Sequence, residues 1–133
     1  MADFERLHAQ LTTKPVLDFE YNRVPCTITK MHTDGLNGPV SWFLGYALVD
    51  SPKFINVDID DVCVHGGVTF DKPAGNHTHV IGFDCAHYDD YTGMDFAGTS
   101  FDQHHWTLDE VKEEAIRMVQ SYLDLEAKEL SNE

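Results

Sequence analysis

One segment constrains this chain more than any other. Val40 to Asp50, VSWFLGYALVD, is apolar at odd and even positions alike. A strand with two apolar faces belongs in the middle of a sheet rather than at its rim. Turn chemistry brackets it, with Thr33 to Pro39 (TDGLNGP) before it and Ser51-Pro52 after it. Its neighbours read accordingly. Val24 to His32 alternates, with Val24, Cys26 and Ile28 on one face and Thr27 and Thr29 on the other, as a half-buried strand does. Val62 to Phe70 reads as a strand interrupted by Gly66-Gly67. Asp71 to Asn76 reads as a hairpin loop and His77 to Cys85 as the returning strand.

Helical signals flank the strands. Asp3, Phe4, Leu7 and Leu11 recur at helical spacing, and Pro15 closes that segment. Thr107-Leu108-Asp109-Glu110 has the form of a capping box, Thr at the N-cap and Glu three residues on. The helix it opens runs to about Leu130 and buries Leu108, Val111, Ala115, Met118, Val119 and Tyr122. Between the last strand and this helix, Ala86 to Trp106 shows no periodicity. The segment is rich in aromatics (Tyr88, Tyr91, Phe96, Phe101, Trp106), and loops of this length in small domains are usually functional or disordered. Strands followed by one long helix predict an α+β fold. The expected form is an antiparallel sheet packed on a long C-terminal helix, with a short helix at the N-terminus. At 133 residues the chain reads as one domain, 1–133.

Charge narrows the functional classes. The formal net charge is −14 and the isoelectric point about 4.7. That argues against direct nucleic-acid binding, which needs a basic footprint. The imbalance is greatest over residues 50–106, where ten acids face two bases and six of the eight histidines lie. No run of ~18 apolar residues offers a membrane span, and the first 15 residues hold no apolar signal core. Three cysteines do not make a disulfide framework. The expectation is a cytoplasmic protein with no membrane contact.

The residues able to carry chemistry are Cys63, His65, His77, His79, Cys85 and His87, with Asp84, Asp89 and Asp90 nearby. Thiolate and imidazole are the ligands zinc prefers, so His65, Cys85 and His87 form a candidate zinc set, although the Cys-x-His spacing is not that of a zinc knuckle. The competing reading is a polar network with buried free thiols. Strand parity sets a condition on any shared site. Cys63 and His65 lie opposite Val62 and Val64, while Cys85 shares a face with Ile81 and Phe83. Either the Gly66-Gly67 bulge re-aims a row, or Cys85 and His87 sit past the strand end. Two catalytic forms are open. Cys85 can act as nucleophile with His65 or His87 as base and an Asp as orienter. Alternatively, His65, His87 and Asp84 can hold a metal that activates water, with one of His104 and His105 adding a ligand. An EF-hand is excluded: Asp58-Ile59-Asp60-Asp61 starts like one, but Cys63 stands where its Gly belongs and Thr69 where its Glu does. No Gly-rich phosphate loop of standard spacing is present.

Two runs taken together, Val64-His65-Gly66-Gly67-Val68-Thr69-Phe70 and Ile81-Gly82-Phe83-Asp84-Cys85-Ala86-His87 followed by Asp89, resemble a family of small bacteriophage and prophage proteins. The similarity spans roughly residues 40–120. Its pattern positions are His65, Gly66, Gly67, Asp84, Cys85 and His87, which the resemblance makes the ligand-binding set. His79-Val80 stands where the pattern has bulky aromatics. The family carries no known activity. The resemblance implies a phage-type accessory protein in the host cytoplasm, a non-enzymatic binder that inhibits a host defence or nucleic-acid-processing factor through an acidic surface. Two alternatives stand beside it. One is a binder of a small signalling nucleotide, using the aromatic loop and the Gly66-Gly67 amides. The other is a metal-dependent hydrolase or cysteine enzyme built on His65, Asp84, Cys85 and His87. The sequence leaves the oligomeric state open.

Overall fold

A computed structural model describes residues 2–35, 38–51, 57–87, 90, 92 and 103–131. Helix α1 (Ala2–Ala9) is followed by strands β1 (Pro15–Tyr21), β2 (Val24–Gly35), β3 (Gly38–Asp50), β4 (Phe70–Gly75) and β5 (Thr78–Asp84), and helix α2 (Leu108–Ser131) comes last. The strands form one sheet in the order β1-β2-β3-β5-β4, and every pairing is antiparallel. The α+β architecture expected from the sequence is the one observed, with β3 at the centre.

The two apolar faces of β3 meet two different layers. On one face Cys26, Ile28, Ala47, Val49, Ile81, Phe83 and Cys85 pack against Val111, Ala115, Met118, Val119 and Tyr122 of α2. On the other, Tyr46, Leu48 and Val80 pack with Leu7 of α1. Both faces of β2 are buried as well. Thr27 and Thr29 are as inaccessible as Cys26 and Ile28, because their hydroxyls find partners: Thr27 donates to the Leu17 carbonyl and Thr29 accepts from Thr13. The capping box forms as read, the Glu110 N–H donating to Thr107 Oγ1 and the Thr107 N–H to Glu110 Oε1.

Beyond shifts of element ends, such as β2 running to Gly35 and β3 starting at Gly38 within the expected 33–39 turn, three segments differ from the sequence reading. Pro15–Tyr21 is a strand, joined to β2 through Asn22 and Arg23 at φ 50° and 66°, the left-handed pair of a tight hairpin. The segment 62–69 is not a strand. It follows a single 3₁₀ turn, Ile59–Asp61, and runs as a loop until β4 begins at Phe70. The expected hairpin loop at 71–76 is instead the body of β4, with the turn displaced to Asn76 and His77. Pro73 is tolerated there because β4 is an edge strand, where a missing N–H breaks no ladder.

At the centre of the sheet, adjacent cross-strand pairs set a glycine opposite an aromatic. Gly45 pairs with Phe83 and Tyr46 with Gly82. A Cβ on Gly45 would come within 2.4 Å of the Phe83 ring, and one on Gly82 within 2.6 Å of the Tyr46 ring. Each ring folds over its glycine, one on each face, and fills the space a side chain would occupy.

Candidate metal centre

The candidate site lies where three segments meet at the end of β5. The first is the 62–69 loop. Val62 and Val64 point into the core, and the loop is tied to α2 at two points: the Cys63 N–H donates to Ser121 Oγ (2.8 Å) and the His65 N–H to Glu114 Oε1 (2.7 Å). Cys63 and His65 therefore face away from the core, as strand parity implied, although the segment is a loop. The second is the chain leaving β5. Asp84 turns it by accepting the Ala86 N–H on Oδ1 (3.1 Å), and a further turn closes from the Asp90 N–H to the His87 carbonyl (2.9 Å). The third is the strap that enters α2, which carries Trp106. Asp84 ends β5, so Cys85 and His87 lie past the strand end, one of the two conditions the parity set.

Asp90 joins these segments. Its side chain is fully buried. His65 Nε2 lies 2.9 Å from each carboxylate oxygen, Trp106 Nε1 donates to Oδ1 (2.8 Å) and the His87 N–H to Oδ2 (2.9 Å). Burial alone would push this carboxyl up. The bonds from His65, Trp106 and the His87 amide, with the charge of His65, outweigh it and hold the group below the ordinary 3.8. Asp90 is therefore a carboxylate at neutral pH. An acceptor so placed requires the proton of a neutral His65 on Nε2.

His87 completes the cluster. Its ring stands edge-on to that of His65, centroids 5.4 Å apart. One ligand-capable atom from each of His65, His87 and Asp90 falls within 4.8 Å of the other two. Among the described residues, His87 Nε2 is buried without a hydrogen-bond partner. It lies 3.3 Å from Asp84 Oδ1, close enough for charge attraction but off the line of a hydrogen bond.

The ring of His87 packs on the bare backbone of Gly66. A Cβ at Gly66 would lie 2.2 Å from His87 Nε2, and Gly66 has φ 70°. The first glycine of the pair is required by a ring against its backbone as well as by a left-handed turn. Gly66→Ala is expected to destabilise the fold by about 1–3 kcal/mol, through backbone strain and overpacking. A urea midpoint for Gly66→Ala equal to wild type would contradict this packing.

The structure changes the composition of the predicted set. His65 and His87 come together, with Gly66 beneath them and Asp84 beside His87. Cys85 does not join them. It is 1% exposed within the α2-facing core. Burial pushes its thiol far up, and the negative charges of Asp90, Asp84, Glu114 and Glu110 add to the effect. Cys85 is thus set apart in the core from the converging ligand atoms of His65 and His87, with which the sequence had grouped it. Among the described residues Asp90, rather than Cys85 or Asp84, offers the third ligand-capable atom within 4.8 Å of the two imidazoles. Gly67 has φ 80° and makes room for turning the chain. His79 pairs with Asp71 (3.2 Å) and His104 with Glu110 (2.8 Å), both away from the cluster. His104 reaches the site through its edge contact with the Trp106 ring, at 4.6 Å, and through a parallel backbone bridge to Asp90. Asp89, Tyr88, Tyr91, Phe96 and Phe101 lie outside the described residues.

Sequence reasoning missed the roles of Asp90 and Trp106. Asp90 was visible only as one of several nearby acids, and nothing local distinguishes it from Asp89. Comparison of the chain with protein-family models, curated proteins and solved structures finds no match in any of the three.

Proposed function

We propose that this protein holds a divalent transition metal, zinc in the first instance, through His65, His87 and Asp90, and that its chemistry is metal-assisted hydrolysis. One observation carries the reading: two imidazoles and a buried carboxylate converge within 4.8 Å. The unpartnered buried Nε2 of His87 supports it, because buried polar atoms are ordinarily satisfied. Three protein ligands with a position left for water is the pattern of catalytic zinc, whereas structural sites are closed by four. In such a site the bound water is acidified toward neutrality and becomes the nucleophile. Asp84 beside His87, and Trp106 on Asp90, supply the outer groups that fix ligand orientation.

Zinc binding in this arrangement displaces the proton between His65 and Asp90, so affinity falls as pH falls. Zinc added to chelator-treated protein is expected to raise stability by about 2.7 kcal/mol at one hundred times the dissociation constant. For a domain of this size that is a rise in Tm of about 10 °C. His87→Ala is expected to abolish the rise. An unchanged Tm in wild type, or an equal rise in His87→Ala, counts against the assignment.

The phage-type reading, inhibition of a host protein by an acidic surface, is supported by the net charge of −14 and by exposed acids such as Asp61, Asp109 and Glu113. It predicts salt-sensitive binding to a basic partner that His87→Ala leaves intact.

A further inference from the structure

A second feature adjoins Trp106. A cavity of about 180 Å³ opens there, and among its walls are Lys30, Ser41, Trp42, Phe43, Thr92 and Trp106. The chain has two tryptophans, and both line this one cavity. The sheet supplies one side of it. Trp42 and Phe43 are consecutive on β3, and Lys30 on β2 is the cross-strand partner of Phe43, so its ammonium lies 4.9 Å from the Phe43 ring centre. Thr92 is held beside β3 by the Ser41 N–H, which donates to its carbonyl at 2.8 Å.

The chemistry of these walls is specific. The rings of Phe43 and Trp106 offer surface to a flat apolar group, while Trp42, next to Phe43 on β3, turns its ring to the opposite face of the sheet. Two hydroxyls, on Ser41 and Thr92, offer hydrogen bonds. In a chain carrying a net charge of −14, the cavity has a cation in its wall. Among the described residues no carboxylate lies within ion-pair distance of the Lys30 ammonium. The ammonium stands over the Phe43 ring instead. An ammonium held by an aromatic face keeps its donors available for an anion. Size sets the other limit. An apolar cavity of about 150 Å³ takes one benzene molecule, so this one admits a single ring with a small substituent and excludes a purine nucleotide.

We infer that this cavity binds a small single-ring aromatic anion, a benzoate-like carboxylate or a phenyl phosphate-like monoester, with its ring against Phe43 and Trp106 and its charge at Lys30. The site is distinct from the metal centre and does not depend on it. Trp106 is the residue they share, bonded to Asp90 through Nε1 and lining the cavity.

Trp106 lines the cavity and reports binding, so the test is intrinsic fluorescence of full-length, chelator-treated protein titrated with benzoate, phenyl phosphate, benzyl alcohol and AMP. The metal reading can then fail without affecting the result. Saturable quenching by benzoate or phenyl phosphate is expected, with a dissociation constant on the order of 1 mM or below. Benzyl alcohol is expected to bind about 10-fold more weakly, since it keeps the ring and lacks the charge. AMP is expected not to saturate. The stronger of benzoate and phenyl phosphate identifies the anion as carboxylate or phosphate. Lys30→Met keeps an apolar stem over Phe43 and is expected to bring the better anion down to the level of benzyl alcohol. Equal binding of benzoate, phenyl phosphate and benzyl alcohol to wild type would overturn the proposal without any variant. So would AMP binding more tightly than either small anion, or no saturation by any probe.

Discussion

Asp90→Ala is expected to remove about 3–5 kcal/mol of folding stability, a large part of what a domain of this size has. The side chain is fully buried and accepts from three donors on three segments: the His65 ring, the Trp106 indole and the His87 amide. Alanine strands all three at once, and each buried donor left without a partner costs about 1–3 kcal/mol. Water entering the cavity would recover part of that. Asp90→Asn keeps one acceptor oxygen but turns a donor toward the remaining N–H groups, so it is expected to fall between alanine and wild type. Acid acts on the same group. Its folded pKa lies below the ordinary 3.8, so its contribution is complete above that value and is lost as pH falls through the lower folded one. Urea midpoints at neutral pH, with Trp106 emission as a local probe, measure the effect. A loss below about 1 kcal/mol for Asp90→Ala would mean that the hub is not a structural tie.

Stability is also expected to fall steeply on the alkaline side, for a reason that lies in the core. Cys26 is wholly inaccessible. Burial, with a further push from the Glu20 charge, raises its thiol from 9.0 to about 12. The folded pKa therefore exceeds the unfolded one. Below pH 9 both states hold the proton and the contribution is complete. Between 9 and about 12 only the folded state holds it, so the unfolded state gains by ionising. The slope is about 1.4 kcal/mol per pH unit for one thiol. Cys85 is raised too, by burial and then by its acidic neighbours, and it adds a second contribution of the same sign. Tyr46 and Tyr122, raised chiefly by burial from 10.0, extend the trend above that value. The urea midpoint in reductant is expected to drop progressively from pH 9 to pH 11, and Cys26→Ala is expected to flatten the slope by about one thiol's share. A midpoint that is constant over this range would show that the thiols are not buried as described.

Much of the fold was legible because its signals are local or periodic. The doubly apolar β3, the alternation in β2 and the Thr107–Glu110 cap need no distant partner to be read. The errors fell where position in the sheet overrides local chemistry. Phe70–Gly75 has turn composition yet forms a strand, because an edge needs only one ladder and accepts Pro73. In 62–69, by contrast, β-branched residues form a loop because left-handed Gly66 and Gly67 break the extended run and α2 side chains take its amides. The signal for β1 was available in the alternation of Leu17, Phe19 and Tyr21. At the site, the two histidines were legible as chemistry-bearing residues, and parity correctly separated His65 from the core row that holds Cys85. Asp90 was not legible as the third member. Its role comes from burial and from an indole sixteen positions away, and a sequence shows neither.

The most direct test of the metal centre is the metal content of untagged protein, purified without chelator and measured by elemental mass spectrometry in wild type and His87→Ala. Near-stoichiometric zinc or a neighbouring divalent metal in wild type, lost in His87→Ala, is the predicted result. Metal-free wild type that also takes up no zinc on titration would contradict the account, and would leave His65, His87 and Asp90 as a hydrogen-bonded knot that holds the 62–69 loop to α2.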